Sequence, residues 1–382
     1  MQSSTKYQPL LSAALTGIAY YLGAKLGLAL TPAGFPISTL WPPNAILFAA
    51  LLLVPIRNWW LILLAVLPAH LFVQLQGDVP LLRSIGWFIT NTSEALIGAA
   101  LLRKFCKGNS CFDSLLDVGR FLICGVIAAP FLTSFLDAGV VAATGWQSEY
   151  WELWGSRLIS NMLANLTIVP AVASVGLSGS EWLRRISWNK YIEAVALGVF
   201  TILISSLIFQ PAVEYVIPAL ILFPLLWAVL RFGFGGVSIS LLTITLITFW
   251  NIVNAPEPLN EGSMAQKVFT LQIFLTVMSI TMISLAAVLH ERREAAEALR
   301  KSEDRMSMSA EWTNLGFWSY DFVTGETWIS DHLRKMLGFD DGPVTCTFLN
   351  ELIHPDDRQR APDELRAPAL RARLRSRPSA RA

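Results

Sequence analysis

The residues with the most chemical potential are polar and charged side chains set inside otherwise apolar stretches. Arg157, Asn161 and Asn165 occur in SRLISNMLANL at i, i+4 and i+8, a spacing that puts them on one face of an α-helix. Asn91, Thr92 and Glu94 lie in ITNTSEALIG, and Asp137 lies in SFLDAG. Such groups are costly inside a bilayer, which makes them candidates for function. Asn91, Glu94, Asp137, Arg157, Asn161 and Asn165 are therefore the candidate ligand-sensing residues. The competing role is structural: Asn161 and Asn165 bond to Asn91 and Glu94, while Glu94 or Asp137 pairs with Arg157, as glue between helices. Glu193, which begins a later apolar stretch, is expected at the membrane interface near Lys190.

Other chemistry is sparse. The four histidines are His70, His290, His332 and His354. His70 sits on the apolar face of LPAHLF, where a core histidine bonded to a backbone carbonyl is a simpler state than a metal ligand. His290 has the acidic neighbour of a kinase phosphoacceptor but lacks the proline that follows one. No HExxH, paired CxxC or Ser/His/Asp wording occurs. Gly233-Phe234-Gly235-Gly236 lacks the Lys-Ser/Thr of a phosphate-binding loop and more simply lets two helices turn closely after Arg231. Cys106 and Cys111 are flanked by Arg103, Lys104 and Lys107, the pattern of a cytoplasmic loop; with Cys124 and Cys346 they are expected to stay reduced. No catalytic residue, metal ligand or cofactor is expected.

The elements that must position the polar set are legible from composition. The chain has 382 residues, 54% of them apolar and 15% charged, whereas an average soluble domain is about a quarter charged. Residues 1–290 hold 14 Lys/Arg and 12 Asp/Glu, and residues 291–382 hold 15 and 16. A membrane block therefore precedes a short polar segment, and an ordinary cytosolic enzyme is excluded. The formal net charge of +1 gives no global attraction to nucleic acid, so none is expected as a partner. The apolar stretch from Leu10 to Leu30 is too long for a signal-peptide core and is followed by no small-x-small cleavage site, which marks a retained first span.

At about 20 apolar residues per crossing, ten candidate spans appear: 10–30, 41–56, 58–76, 83–103, 119–144, 156–175, 192–210, 214–231, 236–253 and 268–289. The second is the weakest. Trp41-Pro42-Pro43-Asn44 should break and restart a helix at the outer surface, leaving a run short enough for a re-entrant piece, so eight to ten spans is the safe range. Lys and Arg alternate between loops as the positive-inside rule requires. With the N-terminus inside, twelve fall on the cytoplasmic side and at most four on the other (Lys25, Arg83, Arg157 and Lys267). Both termini are expected in the cytoplasm.

Beyond the last span, HERREAAEALRKSEDRM (290–306) reads as a continuing cytoplasmic helix. Leu289, Arg292, Ala296, Leu299, Glu303 and Met306 form a weak heptad seam that either pairs two protomers or belongs to a solvated single helix. NLGFWSYDFVTGETWIS then reads as two strands around a Thr324-Gly325 turn, DHLRKMLGF as a short helix stopped by Gly338, and CTFLNELIHPDDRQR as a further amphipathic helix. Residues 361–382 hold six Ala, six Arg and three Pro with no aromatic or β-branched residue, so they cannot build more sheet.

The lead-in SEDR followed by LGFWSYD, TGETWIS, MLGF and HPDDR resembles the first half of a PAS domain, over about residues 303–360. The remaining strands of that family are expected to be missing, through a frameshift, a truncated gene or a natural basic tail. STLWPPNAILFAALLLVPIRNWWLILLAVLPAHLF, ITNTSEALIGAALLRKF, WGSRLISNMLANLTIVPAV, FPLLWAVLRFGFGGVSIS and LAAVLHERREAAEALRKSEDR are similar to the first type of the MASE family, membrane-associated sensor domains of bacterial signalling proteins. That likeness spans roughly residues 10–295.

The expected fold class is an all-α polytopic membrane protein of about ten transmembrane helices with a small incomplete α+β PAS-like C-terminal segment. The divisions are a membrane sensor domain (1–289), a helical linker (290–306), a partial PAS domain (307–360) and a disordered tail (361–382). The resemblance implies a sensor of the bacterial inner membrane. It would detect an unknown small-molecule or membrane-derived signal, dimerise through the linker, and relay to a PAS module and a histidine kinase, or else a diguanylate cyclase. A secondary transporter and a gene remnant that inserts without signalling are the rival readings.

Overall fold

A computed structural model describes residues 8–32, 38–106, 111–145, 149–185, 187–207, 218–254, 264–313, 315–321, 324, 326–338 and 354. The chain divides into two compact units, Met1–Arg293 and Glu294–Ala382.

The first unit is helical. Its elements are α1 (Gln8–Ala29), α2 (Pro42–Leu53), α3 (Trp59–Gln76), α4 (Leu81–Phe105), α5 (Leu115–Arg120), a π-helical stretch (Phe121–Ala128), α6 (Ala129–Ala143), α7 (Tyr150–Arg185), α8 (Trp188–Leu207), α9 (Leu222–Val253) and α10 (Met264–Thr313), the last running on into the second unit. Alongside a buried apolar core that includes Phe48, Phe121 and Phe249, many polar side chains are gathered inside while many large apolar ones lie on the outer surface. Leu15, Ile18, Leu64, Phe72, Ile123, Leu136, Val199 and Leu203 are exposed, while Asn44, Glu94, Asp137, Asn161 and Asn165 are buried. That arrangement suits hydrocarbon as the surrounding medium, since lipid competes for apolar surface as well as the core does.

Among the described residues, seven helical stretches are long and apolar enough to cross a bilayer: Ile56–Gln76, Leu81–Phe105, Leu115–Ala143, Tyr150–Gly176, Trp188–Leu207, Leu222–Val253 and Ala265–Ser309. The ten expected from sequence reduce to seven at three places. The 10–30 candidate forms α1 but is not among the seven. The 41–56 candidate forms α2, whose 12 residues are fewer than the roughly 20 of an ordinary crossing, so length alone does not place it among the seven. The candidates at 214–231 and 236–253 share α9, which is interrupted at Gly233 (φ 61°, ψ −146°). A Cβ placed on Gly236 would lie 3.2 Å from the carbonyl oxygen of Ala228, although eight residues of straight helix span about 12 Å. The chain therefore turns back on itself at Gly233, a conformation that glycine adopts without strain.

Although short, α2 is the element around which the block is organised. Eight of its residues, from Pro42 to Leu51, are buried. Pro42 and Pro43 occupy the first turn, where their missing N–H groups cost nothing. At the other end, Arg103 of α4 donates from Nη2 to the carbonyls of Leu51 (3.0 Å), Leu52 (2.9 Å) and Val54 (2.6 Å), and Trp59 Nε1 donates to Leu51 O at 2.9 Å. A cation over the carbonyl end satisfies groups that lipid could not and complements the helix dipole. Against the other side of the bundle, α1 and α3 approach so closely at Gly17 that a Cβ there would meet the Ala65 carbonyl oxygen at 2.9 Å. Small residues permit this contact in membranes.

The second unit includes the rest of α10 and a two-stranded antiparallel hairpin, β1 (Trp318–Tyr320) and β2 (Thr327–Ile329), with Trp318 opposite Ile329 and Tyr320 opposite Thr327. Ser330 closes the hairpin onto α11 (Asp331–Met336): its N–H donates to Phe317 O, and its hydroxyl accepts from Leu333 N at 3.3 Å as the helix N-cap. Gly338 at φ 71° ends the helix, as expected. The stretch CTFLNELIHPDDRQR, apart from His354, and residues 361–382 lie outside the described residues.

Candidate functional site

The candidate residues are brought together by three helices, each contributing a pair of side chains four residues apart. These are Thr90 and Glu94 on α4, Thr133 and Asp137 on α6, and Arg157 and Asn161 on α7. The pairs stack in two layers about one helical turn apart.

In one layer, Arg157 Nε lies 3.1 Å from Asp137 Oδ2, and Thr90 Oγ1 donates to Asp137 Oδ1 at 3.0 Å. The guanidinium also sits 5.2 Å from the ring centroid of Trp87, a cation–π contact that suits the delocalised charge of arginine. Of the two carboxylates that could take Arg157, the structure pairs it with Asp137.

The second layer is built on Glu94, which is 2% exposed. Its Oε2 accepts from Asn161 Nδ2 at 2.7 Å and Asn44 Nδ2 at 3.0 Å, with Thr133 Oγ1 at 3.4 Å; its Oε1 accepts from Asn165 Nδ2 at 2.9 Å. Asn44 Nδ2 also reaches Asn91 Oδ1 at 3.3 Å, so Asn91 joins the cluster through α2 rather than through α7. Asn165 Nδ2 is shared with the Gly125 carbonyl at 3.1 Å, inside the π-helical stretch. Such stretches leave backbone groups free for other partners and recur at functional sites. Among the described residues, no Lys, Arg or His forms an ion pair with Glu94.

All six candidates thus fall in one buried cluster. Asn44, Thr90, Thr133 and Trp87 also belong to it, and sequence reasoning passed them over. Only Asn44 gave a usable signal, an amide just after the two prolines of WPPN in an otherwise apolar run. Glu193 lies elsewhere, on α8. Its carboxylate accepts both bonds from Arg231 Nε of α9, at 2.6 and 2.7 Å, and one from Trp227 Nε1 at 3.2 Å, so its principal partner is Arg231. His70 is buried with Nε2 3.0 Å from Ser84 O and Nδ1 3.0 Å from the Tyr20 hydroxyl. A carbonyl only accepts, so Nε2 carries the proton and Nδ1 accepts from tyrosine. That is the core role expected of it.

On the cytoplasmic side of the expected layout, Cys106 and Cys111 are free thiols, as is Cys124. Burial, reinforced by the neighbouring Cys106, pushes the Cys111 thiol up to about 12. Against an ordinary thiol, its thiolate fraction near neutrality falls about a thousandfold, partly offset by the higher intrinsic nucleophilicity of a more basic thiolate. Alkylation of Cys111 at pH 8, followed by mass spectrometry, is expected to run roughly 50-fold slower than that of a free cysteine peptide. Labelling at the peptide's rate would contradict the half-buried placement of Cys111 beside Cys106.

Three Brucella proteins, the "Blue-light-activated histidine kinase" of Brucella ovis, Brucella canis and Brucella suis, are each 26% identical to this chain over 111 residues. The match covers 29% of this chain and 22% of each relative, so the chain spans only a minor part of their length. No solved structure matches. The family model for MASE1 matches residues 12–293. That match takes in α2, α4, α6 and α7 with the whole polar cluster and covers well over half of the sequence, and the chain belongs to the MASE1 family of membrane sensor domains.

Proposed function

We propose that the membrane block senses a chemical signal at the Glu94 cluster and passes it through α10 to a cytoplasmic PAS module beginning in residues 307–360, and from there to a histidine kinase output. The observation that carries this reading is a buried carboxylate held by amides from two helices, with no basic partner among the described residues, at the meeting point of α2, α4, α6 and α7. A cluster built only to glue helices would be better served by the neutral pairing seen one turn away between Asp137 and Arg157. The kinase output is supported by the similarity to histidine kinases. The PAS start is supported by the hairpin followed directly by an N-capped helix.

In this reading the block makes ten crossings of the inner membrane, with α2 and the two arms of α9 each counted and both termini in the cytoplasm. The turn at Gly233 and the loop distribution of Lys and Arg support it. Reporter fusions after Gly108, Ser187 and Arg293 are expected to give cytoplasmic signals, and those after Asp78, Ser148 and Asn260 external ones. A cytoplasmic signal at Ser148 would overturn the layout. Two protomers associate along α10, which has 50 residues, more than twice what a crossing needs. Leu299 and Met306 of the heptad seam are exposed on it.

The test of sensing grafts residues 1–302 onto a complete histidine kinase and compares Glu94→Gln with the unmodified fusion for folded yield and kinase activity. A sensing site predicts changed activity at nearly unchanged yield. Activity that falls only in proportion to folded protein would assign the cluster to structure.

A further inference from the structure

The Glu94 layer has an imbalance of hydrogen-bonding groups. The carboxylate accepts from the amide nitrogens of Asn44, Asn161 and Asn165, yet the Oδ1 atoms of these same three side chains receive no hydrogen bond from the described residues. The three residues are 1%, 2% and 1% exposed. A buried acceptor without a donor is costly, and three in one cluster is a concentrated cost. Rotating the amides would bring oxygen against the ionised carboxylate, so with Glu94 alone the nitrogens must face it. Each oxygen belongs to the same planar group as its bonded nitrogen and therefore stays beside Glu94.

We propose that this cluster binds a small monovalent cation, coordinated by the Glu94 carboxylate and the side-chain oxygens of Asn44, Asn161 and Asn165. The proposal rests on the sensing site described above and names its ligand class. An all-oxygen donor set of carboxylate and amide carbonyls suits hard cations such as sodium, potassium or ammonium and disfavours soft metals. The charge balance selects a single positive charge. Asp137 is already neutralised by Arg157, so the cluster brings one negative charge, and a monovalent ion leaves the buried site neutral. Binding would flip the amides about their Cβ–Cγ bonds, exchanging nitrogen for oxygen at the carboxylate. At Asn165 that exchange also removes the donor from the Gly125 carbonyl, which carries the event into the π-helical stretch.

The test uses the full chain purified in lipid nanodiscs. Melting temperature is followed while sodium, potassium or ammonium chloride replaces choline chloride at constant ionic strength and pH; choline is too large for the site. At least one small cation is expected to raise the melting temperature saturably, as a ligand specific to the folded state must. Glu94→Gln should remove the dependence. Asn161→Ala and Asn165→Ala keep the carboxylate and should each raise the half-saturating concentration roughly tenfold, the effect of losing one good contact.

Identical curves in all four salts for the unmodified chain would overturn the proposal and leave the three oxygens to water. Saturable stabilisation that survives Glu94→Gln, Asn161→Ala and Asn165→Ala alike would place the ion elsewhere and overturn it too. The sensing reading stands or falls separately. A cation effect with a kinase fusion indifferent to Glu94→Gln keeps the site and removes its signalling role. No cation effect with a fusion silenced by Glu94→Gln at full folded yield does the reverse.

Discussion

Arg157→Ala should be the most damaging single substitution in the membrane block. It removes the only basic partner of Asp137 among the described residues and leaves that carboxylate, 2% exposed, with the Thr90 hydroxyl alone. Breaking one side of a buried pair costs about 3–5 kcal/mol because the remaining charge is uncompensated. Removing both charges together is far milder. Asp137→Asn combined with Arg157→Met keeps the volumes roughly constant and deletes both desolvation costs, so the double variant should recover most of the lost stability. Glu94→Gln should cost less, roughly 1–2 kcal/mol, the scale of membrane hydrogen bonds, because an amide can still accept from some of the donors around it. Thermal melts in detergent of Arg157→Ala, Arg157→Met, Asp137→Asn and the Asp137→Asn/Arg157→Met double variant check this. Additive losses would show that the pair is not energetically coupled, whatever its 3.1 Å separation.

The site was legible in sequence to the extent that helical periodicity defines a face. Arg157, Asn161 and Asn165 are neighbours along α7 whatever α7 packs against, so their co-location needed no tertiary knowledge. Which carboxylate Arg157 would take did not follow, since Glu94 and Asp137 are both mid-span and the choice is made by the stacking of α4 against α6. Asn44 was missed as a ligand of Glu94 because its segment reads as the weakest of the ten spans, with WPPN as a helix break at the outer surface; only in three dimensions does a 12-residue helix with its carbonyls covered by Arg103 become a buried element. The π-helical stretch has no sequence signature, because its wider turn depends on what surrounds it. The glycines after Arg231 correctly marked a close helical turn, and the segments on either side of Gly233 are the two arms of α9.

Replacing Glu291 by alanine should uncouple the Glu94 cluster from a histidine kinase fused after α10, as the proposed function requires, while leaving the fold nearly intact. The physical chain is continuous. Asn165 Nδ2 bridges Glu94 Oε1 and the Gly125 carbonyl, and Gly125 lies in the π-helical stretch that joins α5 to α6. The backbone N–H of Leu115, which begins α5, donates to Glu291 Oε1 on α10 at 3.1 Å. An acidic side chain at that helix start satisfies an N–H without an intrahelical partner. Two residues on, Arg293 Nη2 donates to the Leu230 carbonyl at 2.6 Å, tying α10 to the arm of α9 just before Gly233.

The Leu115 contact is exposed, so its loss should alter stability by about 1 kcal/mol or less. Coupling between sites is commonly worth 1–3 kcal/mol, or about 5- to 150-fold in an equilibrium, so the effect on signalling should be far larger than the effect on folding. The decisive measurement is a double-mutant cycle in the kinase fusion, which requires no knowledge of the stimulus. The activity difference between the unmodified fusion and its Glu94→Gln variant should shrink at least about fivefold when Glu291 is also changed to alanine. An undiminished difference would show that the cluster reaches α10 by another route, and because spatial continuity alone does not demonstrate coupling, that result would remove Glu291 from the relay.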